Sequence, residues 1–205
     1  MRSESSSVHR AVAQIYQELV EAREHFCYTI TMPILLAEAV RCIGMHEADL
    51  LPAAGHDTLE EEGCLLIGQV GPTVVTFDEA GIGRFLRGDA ALAKGRHRGV
   101  VQWDFYDKMF SYIDPSGNGG SWDEDVRVRD KSIDMIGLLR DSSLSAYAGL
   151  FESGLWAEEA DDAEAGAPYL ETVMLAVLES ETGLRFDEHV IDSLPYALHI
   201  PENLR

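Results

Sequence analysis

Two apolar runs joined by a glycine–proline pair place the strongest constraint on what this chain can fold into. The runs CLLIGQV and TVVTFDE flank Gly71-Pro72. Short stretches rich in Val, Ile, Thr and Phe that meet at a turn dipeptide are typical of a β-hairpin. A second pair of such runs, VVQWDF and KMFSYI, predicts another hairpin around Tyr106-Asp107. We therefore expect an antiparallel sheet of about four strands, arranged as two consecutive hairpins.

Helical spacing precedes and follows these strands. Residues 8–24 repeat apolar side chains on one face, and a second helix is predicted from about Pro33 to Ile43, with Gly44 beyond its end. The segment PYLETVMLAVLESETG predicts a longer helix, and Asp187 reads as the N-cap of a last one. The apolar side of the longer helix is formed by Leu170, Val173, Met174, Val177 and Leu178.

This order of elements predicts an α+β fold, with the sheet flanked by N- and C-terminal helices. A chain of 205 residues with 46 % hydrophobic composition suits a single domain spanning residues 1–205. We expect the helix within residues 1–25 to lie at the periphery. Residues 157–168, AEEADDAEAGAP, read as an acidic linker inside the domain.

Composition also suggests a compartment. The chain has no run of 18 apolar residues, and its first 25 residues lack the apolar core of a signal peptide. Its three cysteines, Cys27, Cys42 and Cys64, are widely spaced and form no CxxC pair, which favours reduced thiols. We expect a cytoplasmic protein that does not enter the membrane.

Charge is the most unusual property of the composition. Sixteen Lys and Arg residues stand against 36 Asp and Glu residues, a net charge of −20. Such a field repels nucleic acid and anionic membranes and attracts basic proteins, although it also simply maintains solubility. The acidic runs at residues 123–125 and 158–164 are candidate partner-binding segments. Their candidate residues are Asp123, Glu124, Asp125, Glu158, Glu159, Asp161 and Asp162.

One segment opposes this charge. Residues 84–98, RFLRGDAALAKGRHR, form a basic patch in which Asp89 is the only acid. We expect the patch to pair with the protein's own acidic residues, since such pairing lowers self-repulsion. The alternative is that it binds a phosphate or carboxylate of a ligand. The candidate anion-binding residues are Arg84, Arg87, Arg96 and Arg98.

Residues 114–125, DPSGNGGSWDED, resemble the spacing of an EF-hand calcium loop. However, the preceding MFSYI looks like a strand rather than a helix, and the twelfth position holds Asp125 in place of the usual Glu. The proline and glycines in the segment are the residues that turns require. We therefore predict a turn and no metal site.

Sequence patterns of common enzymes are missing. The chain contains no GxxxxGK[ST] phosphate loop, no GxSxG elbow and no HExxH helix. We accordingly predict no catalytic residue and no cofactor, and whether the protein is an enzyme stays open with a preference against it.

Four segments together resemble an uncharacterised family of small acidic actinobacterial proteins. They begin with FCYTITMPILLAEAVRCIGMHEADL and GCLLIGQVGPTVVTFDEAGIG, and continue with GVVQWDFYDKMFSYIDP and LAVLESETGLRFDE. The resemblance covers roughly residues 26–192 and rests on the order of helix, hairpins and closing helix. It implies fold and lineage only, because the family has no established activity and assigns no site residues.

Two functions follow as hypotheses. The first is a non-enzymatic module that binds a basic partner protein, as an immunity protein binds a toxin. The second is a small enzyme or ligand-binding protein that uses the basic patch for an anionic ligand.

Overall fold

The fold is built on one antiparallel β-sheet. The computed structural model describes residues 16, 25–53, 63–84, 86, 88–103, 108–123, 137, 139–140, 145, 147–149 and 170–205. Within these ranges the strands are β1 (Phe26–Met32), β2 (Leu51–Pro52), β3 (Cys64–Val70), β4 (Thr73–Asp78), β5 (His97–Trp103), β6 (Lys108–Ile113), β7 (Gly119–Asp123) and β8 (Tyr196–His199). Their order across the sheet is β2-β8-β3-β4-β1-β5-β6-β7.

Helices cover both faces of this sheet. Those with described bounds are α1 (Leu36–Ile43), α2 (Asp89–Ala93), α3 (Leu170–Thr182) and α4 (Glu188–Asp192). Short 3-10 turns occupy Glu47–Asp49, Ile82–Arg84 and Glu202–Leu204. None of the helices described is long and apolar enough to cross a membrane.

The predicted sheet of about four strands flanked by terminal helices is wrong. Both expected hairpins are present, as β3–β4 and β5–β6, but β1 lies between them and pairs with β4 and with β5. Six of the seven β1 residues are buried, so the strand is covered on both faces. Its sequence, FCYTITM, alternates Phe, Tyr and Ile with Cys and Thr, a period of two that was present but was not used to predict a strand.

The other unpredicted strands are short or pair over long distances in sequence. Strand β8 has four residues and pairs with β3, although the two strands are far apart in the sequence. Strand β7 has the composition GGSWD, and β2 has only two residues. Two glycines in five residues are a weak strand signal, so composition alone did not reveal β7.

The first face of the sheet packs against α3. Residues 172–178 of this helix are all buried, so the middle of the helix is enclosed on every side. Helical spacing had predicted an apolar stripe on one side only. Helix and sheet approach closely at Gly99 of β5, where an added Cβ would lie 2.3 Å from Leu178 Cδ2. Aromatic rings of β1, β4 and the segment before α4 pack together in the same apolar cluster as the helix: Phe26, Tyr28, Phe77 and Phe186.

The opposite face packs against α1, with Ala39, Val40 and Ile43 buried in a second apolar cluster. The helix ends at Gly44 (φ 93°), as predicted, but it begins at Leu36 and not at Pro33. The chain before it is extended because the Ile34 amide donates a hydrogen bond to the Pro72 carbonyl, 3.1 Å away, in the β3–β4 turn. That bond ties the segment before α1 to the β3–β4 turn.

Predictions for the chain ends fall largely outside the described ranges. Of the N-terminal helix, the structure describes Tyr16, which is helical and buried and whose hydroxyl donates to Glu179 of α3. The acidic linker at 157–168 lies outside these ranges. The single-domain organisation of residues 1–205 therefore stays a prediction.

Candidate functional site

The acidic candidate residues are placed only in part. Asp123 is the last residue of β7, at the edge of the sheet. The remaining six, Glu124, Asp125, Glu158, Glu159, Asp161 and Asp162, lie outside the described ranges. Their role in partner binding stays a prediction.

The basic candidate Arg96 is held by its own chain. Its guanidinium forms an ion pair with Glu38 of α1. It also donates to the carbonyl oxygens of Pro33, Ala91 and Lys94 at 3.1 to 3.2 Å. These contacts join α1 to the end of α2, and they engage the nitrogens that a ligand's phosphate would otherwise bind.

Arg98 is buried almost completely, with 2 % of its side chain exposed. Its Nε and Nη2 lie 2.9 and 2.8 Å from Oδ1 of Asp89, the one acid of the basic patch. Nη1 lies 3.2 Å from Thr31 Oγ1, and the carbonyl oxygens of Ile30 and Gly83 lie 3.5 Å from the guanidinium. Arg98 therefore links the sheet, the 3-10 turn and α2 under the surface.

The other two basic candidates are less defined. The backbone of Arg84 belongs to the 3-10 turn Ile82–Arg84, and Arg87 lies outside the described ranges. The four arginines thus do not form a single described cluster: one is buried, and another is paired at the surface of α1.

Residues 114–118 form the turn between β6 and β7. The Asp114 carboxylate accepts hydrogen bonds from the amides of Ser116 and Asn118 at 2.8 and 2.9 Å, the geometry of an Asx turn. Asp125, the proposed twelfth position of a calcium loop, is outside the described part. Among described residues no three His, Cys, Asp or Glu side chains are placed to hold a metal ion.

A small cleft opens where three strands meet at one end of the sheet. Because β1 runs antiparallel to its two neighbours, its first residue lies beside the last residues of β4 and β5. The pairs are Phe26 with Trp103 and Cys27 with Asp78. The cleft has a volume of about 200 Å³. It is lined by His25, Phe26, Glu79, Ala80, Gly81, Gln102 and Trp103.

Asp78 fixes the loop that forms one wall of this cleft. Its fully buried carboxylate accepts hydrogen bonds from the amides of Ala80, Ile82 and Gly83 at 2.8 to 3.0 Å. Burial raises the pKa of the Asp78 carboxyl, and these amide hydrogen bonds only partly oppose that rise. The loop backbone at Gly81 then lies directly against Gln102, since an added Cβ there would be 3.2 Å from Gln102 Nε2.

The groups around the cleft have complementary chemistry. Glu79 supplies a carboxylate, Gln102 an amide and Trp103 an aromatic ring. Phe26 and Trp103 belong to the α3 face of the sheet, whereas Gln102 is on the opposite face. The cleft can combine them because it lies at the strand ends, where side chains from both faces reach the same space.

A second group of titratable side chains lies at the other end of β5. His97 Nδ1 is 2.6 Å from the Tyr112 hydroxyl, which donates to Glu181 Oε2 at 3.2 Å. The hydroxyl has one proton, so His97 donates through Nδ1 when Tyr112 donates to Glu181. Burial and the nearby Glu181 charge raise the pKa of Tyr112. His97 is six residues from Trp103, roughly 20 Å along the strand, so this chain of hydrogen bonds is separate from the cleft.

Sequence reasoning missed the cleft. Gln102 and Trp103 lay within the predicted strand VVQWDF, and neither they nor His25 and Glu79 were proposed as site residues. The composition of β1, with alternating aromatic and β-branched residues in FCYTITM, was the available signal. Reading it as a strand would have placed His25 at a strand end, although not beside Glu79.

Comparison with known proteins gives no match: no protein-family model, no curated protein and no solved structure matches this chain.

Proposed function

We propose that this protein is a non-enzymatic, acidic module that binds a basic partner protein. Inhibition of a basic toxin, the role of an immunity protein, is the specific form of this function that the charge favours. A chain with a net charge of −20 draws a basic protein toward it and accelerates their encounter.

The observation that carries the proposal is the internal pairing of the basic patch. Arg96 is paired with Glu38, and Arg98 is buried against Asp89. Because these two cations are neutralised inside the fold, they oppose the field of the acidic runs only weakly. The same pairing makes the patch a poorer receptor for an anionic ligand, so it favours the binding module over the second hypothesis.

The test compares two variants with the same net charge. The first converts Glu158, Glu159, Asp161 and Asp162 to the corresponding amides; the second does the same at Glu47, Asp49, Asp192 and Glu202, which are exposed acids elsewhere. Each variant has a net charge of −20 + 4 = −16. An amide at position 49 keeps the side-chain oxygen that accepts from the His46 amide.

Partners are captured from native lysate at low and high salt, and association with the captured protein is then measured by stopped flow. The first variant should slow association several-fold, and salt should weaken binding to the wild type because exposed charges are screened beyond about 8 Å at 0.15 M. The second variant should match the wild type. Equal slowing by both variants would indicate unspecific attraction, and a salt-independent partner or none would refute the proposed function.

A further inference from the structure

The turn between β6 and β7 contains an asparagine followed by a glycine, Asn118 and Gly119. In such a pair the glycine nitrogen can attack the side-chain amide of the asparagine, because glycine has no side chain that obstructs the approach. The chain has one other asparagine, Asn203, and both asparagines are exposed. Asn203 is followed by Leu204, whose amide donates to the Pro201 carbonyl at 2.8 Å. The two asparagines therefore differ in their following residue and not in their access to water.

The fold requires glycine at position 119. A Cβ built there would lie 2.1 Å from the Tyr112 carbonyl oxygen and 2.8 Å from Ile113 Cα. Both atoms belong to the backbone of β6, so they cannot move aside as the end of a flexible side chain could. The close approach of β6 and β7 thus places a residue without a side chain directly after Asn118.

The Gly119 nitrogen does not take part in the pairing of β6 and β7. The Asp114 amide donates to the Asn118 carbonyl at 2.8 Å. The next pair along the ladder, Ile113 with Gly119, is therefore of the non-hydrogen-bonded kind, in which the N–H groups point away from the partner strand. Because β7 is the last strand in the described order, this N–H points to the outer edge of the sheet.

The Asn118 side chain is held weakly by the described residues. Its Nδ2 donates to Asp114 Oδ2 at 3.3 Å, which is longer than the usual range of about 2.7–3.2 Å. The shorter hydrogen bonds of the Asp114 carboxylate come from the backbone amides of Ser116 and Asn118, at 2.8 and 2.9 Å. The carboxamide can therefore rotate toward Gly119 while the backbone hydrogen bonds of the turn stay in place.

We propose that Asn118 is a site of spontaneous deamidation, in which the Gly119 nitrogen attacks Asn118 Cγ. A bond from this nitrogen to Cγ forms and the Cγ–Nδ2 bond breaks. The proton of the Gly119 amide passes through solvent to the departing nitrogen, which leaves as ammonia. The cyclic succinimide then adds a water molecule, and it opens either to aspartate or to isoaspartate, whose main chain runs through Cγ. The reaction needs no partner, so it is independent of the proposed function.

Either product adds a negative charge beside Asp114. The Asn118 Nδ2 that donates to the Asp114 carboxylate is replaced by a carboxylate oxygen, which can only accept. Two carboxylates then repel each other within the turn, and the net charge changes from −20 to −20 − 1 = −21. Deamidation thus weakens the turn that holds the edge strand β7 against β6.

The test follows both asparagines in the full wild-type chain. The protein is incubated at pH 8 and digested, and the peptides that contain Asn118 and Asn203 are followed by mass spectrometry with fragmentation that distinguishes isoaspartate from aspartate. Asn118 should convert at least about tenfold faster than Asn203, since glycine leaves the attacking nitrogen unobstructed. Isoaspartate should be among the products, because direct hydrolysis of the side chain yields aspartate alone. No conversion at Asn118, equal rates at both positions, or aspartate without isoaspartate would overturn the proposal.

Two variants of equal charge test the effect on the turn. Asn118→Asp adds a carboxylate beside Asp114, and Asn203→Asp adds the same charge at the exposed control position. Asn118→Asp should unfold at a lower urea concentration than Asn203→Asp, and salt should reduce the difference, because it screens exposed charges. Equal urea midpoints would overturn the inferred weakening of the turn. The conversion rates are measured on the wild type, so they remain decisive even where a variant folds poorly.

Discussion

Replacement of Tyr28 by phenylalanine should stabilise the protein. Tyr28 is 1 % exposed, and its hydroxyl is buried without a hydrogen-bond partner in the described part of the chain. Its ring packs against Phe186, with centroids 4.3 Å apart. Burial, and then the negative charge of Asp187, raise the pKa of this phenol, which stays neutral at all ordinary pH values.

The magnitude follows from the cost of burying a polar group. A buried donor left without a partner costs about 1–3 kcal/mol. The Tyr28 hydroxyl has this cost in the native state only, because water solvates it in the unfolded chain. Phenylalanine keeps the ring packing and removes the hydroxyl. We expect Tyr28→Phe to raise the free energy of unfolding by about 1 kcal/mol, which corresponds to a Tm increase of about 2–4 °C for a chain of this size.

Tyr112→Phe is the matched control, because it deletes the same atom from a hydroxyl that is hydrogen-bonded. Tyr112 contacts His97 Nδ1 at 2.6 Å and Glu181 Oε2 at 3.2 Å. Its loss should lower the free energy of unfolding by about 1–2 kcal/mol. Urea unfolding followed by circular dichroism measures both variants. A clear destabilisation by Tyr28→Phe, comparable to that of Tyr112→Phe, would refute the reasoning.

Three further predictions concern packing, pH and metal. Gly99→Ala places a Cβ 2.3 Å from Leu178 Cδ2 and should cost about 1–3 kcal/mol in urea unfolding, whereas Gly149→Ala, with nothing within 4 Å of the new atom, should cost nothing. Because burial raises the pKa of Asp78, its contribution is fully present below about pH 3.9, the pKa of an unfolded aspartate, and is lost as pH rises through the higher folded value. The stability of wild type relative to Asp78→Asn should therefore fall as pH rises above about 4 in urea titrations, and a rising difference would contradict the assignment. Calcium should leave Tm unchanged, since backbone amides already occupy the Asp114 carboxylate; a millimolar site at tenfold excess would add about 1.4 kcal/mol, and a rise reversed by chelator would show that the turn binds metal.

Local signals in the sequence proved reliable. Asp187 caps α4 as predicted, with its carboxylate accepting from the Val190 amide at 2.9 Å, and Gly44 ends α1. The β3–β4 hairpin turns at Gly71, as the dipeptide indicated. Each of these features depends on residues within a few positions of one another, so the chemistry that determines it is visible in a short window.

The features that sequence missed depend on pairing between distant segments. Strand β1 separates the two hairpins, and β8 returns from the C-terminal part of the chain to pair with β3. The alternation in FCYTITM marks β1 as a strand but does not show which strands it pairs with, and β8, with four residues, is shorter than most strands. The cleft shares this origin, since its walls come from the start of β1 and the ends of β4 and β5. A site of this kind could be predicted only after the strand order was known.

The arginines of the basic patch show why charge counted along the sequence is a poor guide to a binding site. Arg96 and Arg98 are separated by one residue, yet one lies at the surface against α1 and the other is buried beneath α2. Alternation along β5 points His97 and Gly99 to the α3 face and Arg98 to the other, where Asp89, Thr31 and backbone carbonyls surround it. Removing the Asp89 carboxylate alone would leave the Arg98 guanidinium buried without a compensating charge. Asp89, the only acid within the patch, is therefore also its most important partner. Arg96 and Arg98 thus serve as internal joints between the sheet and the helices.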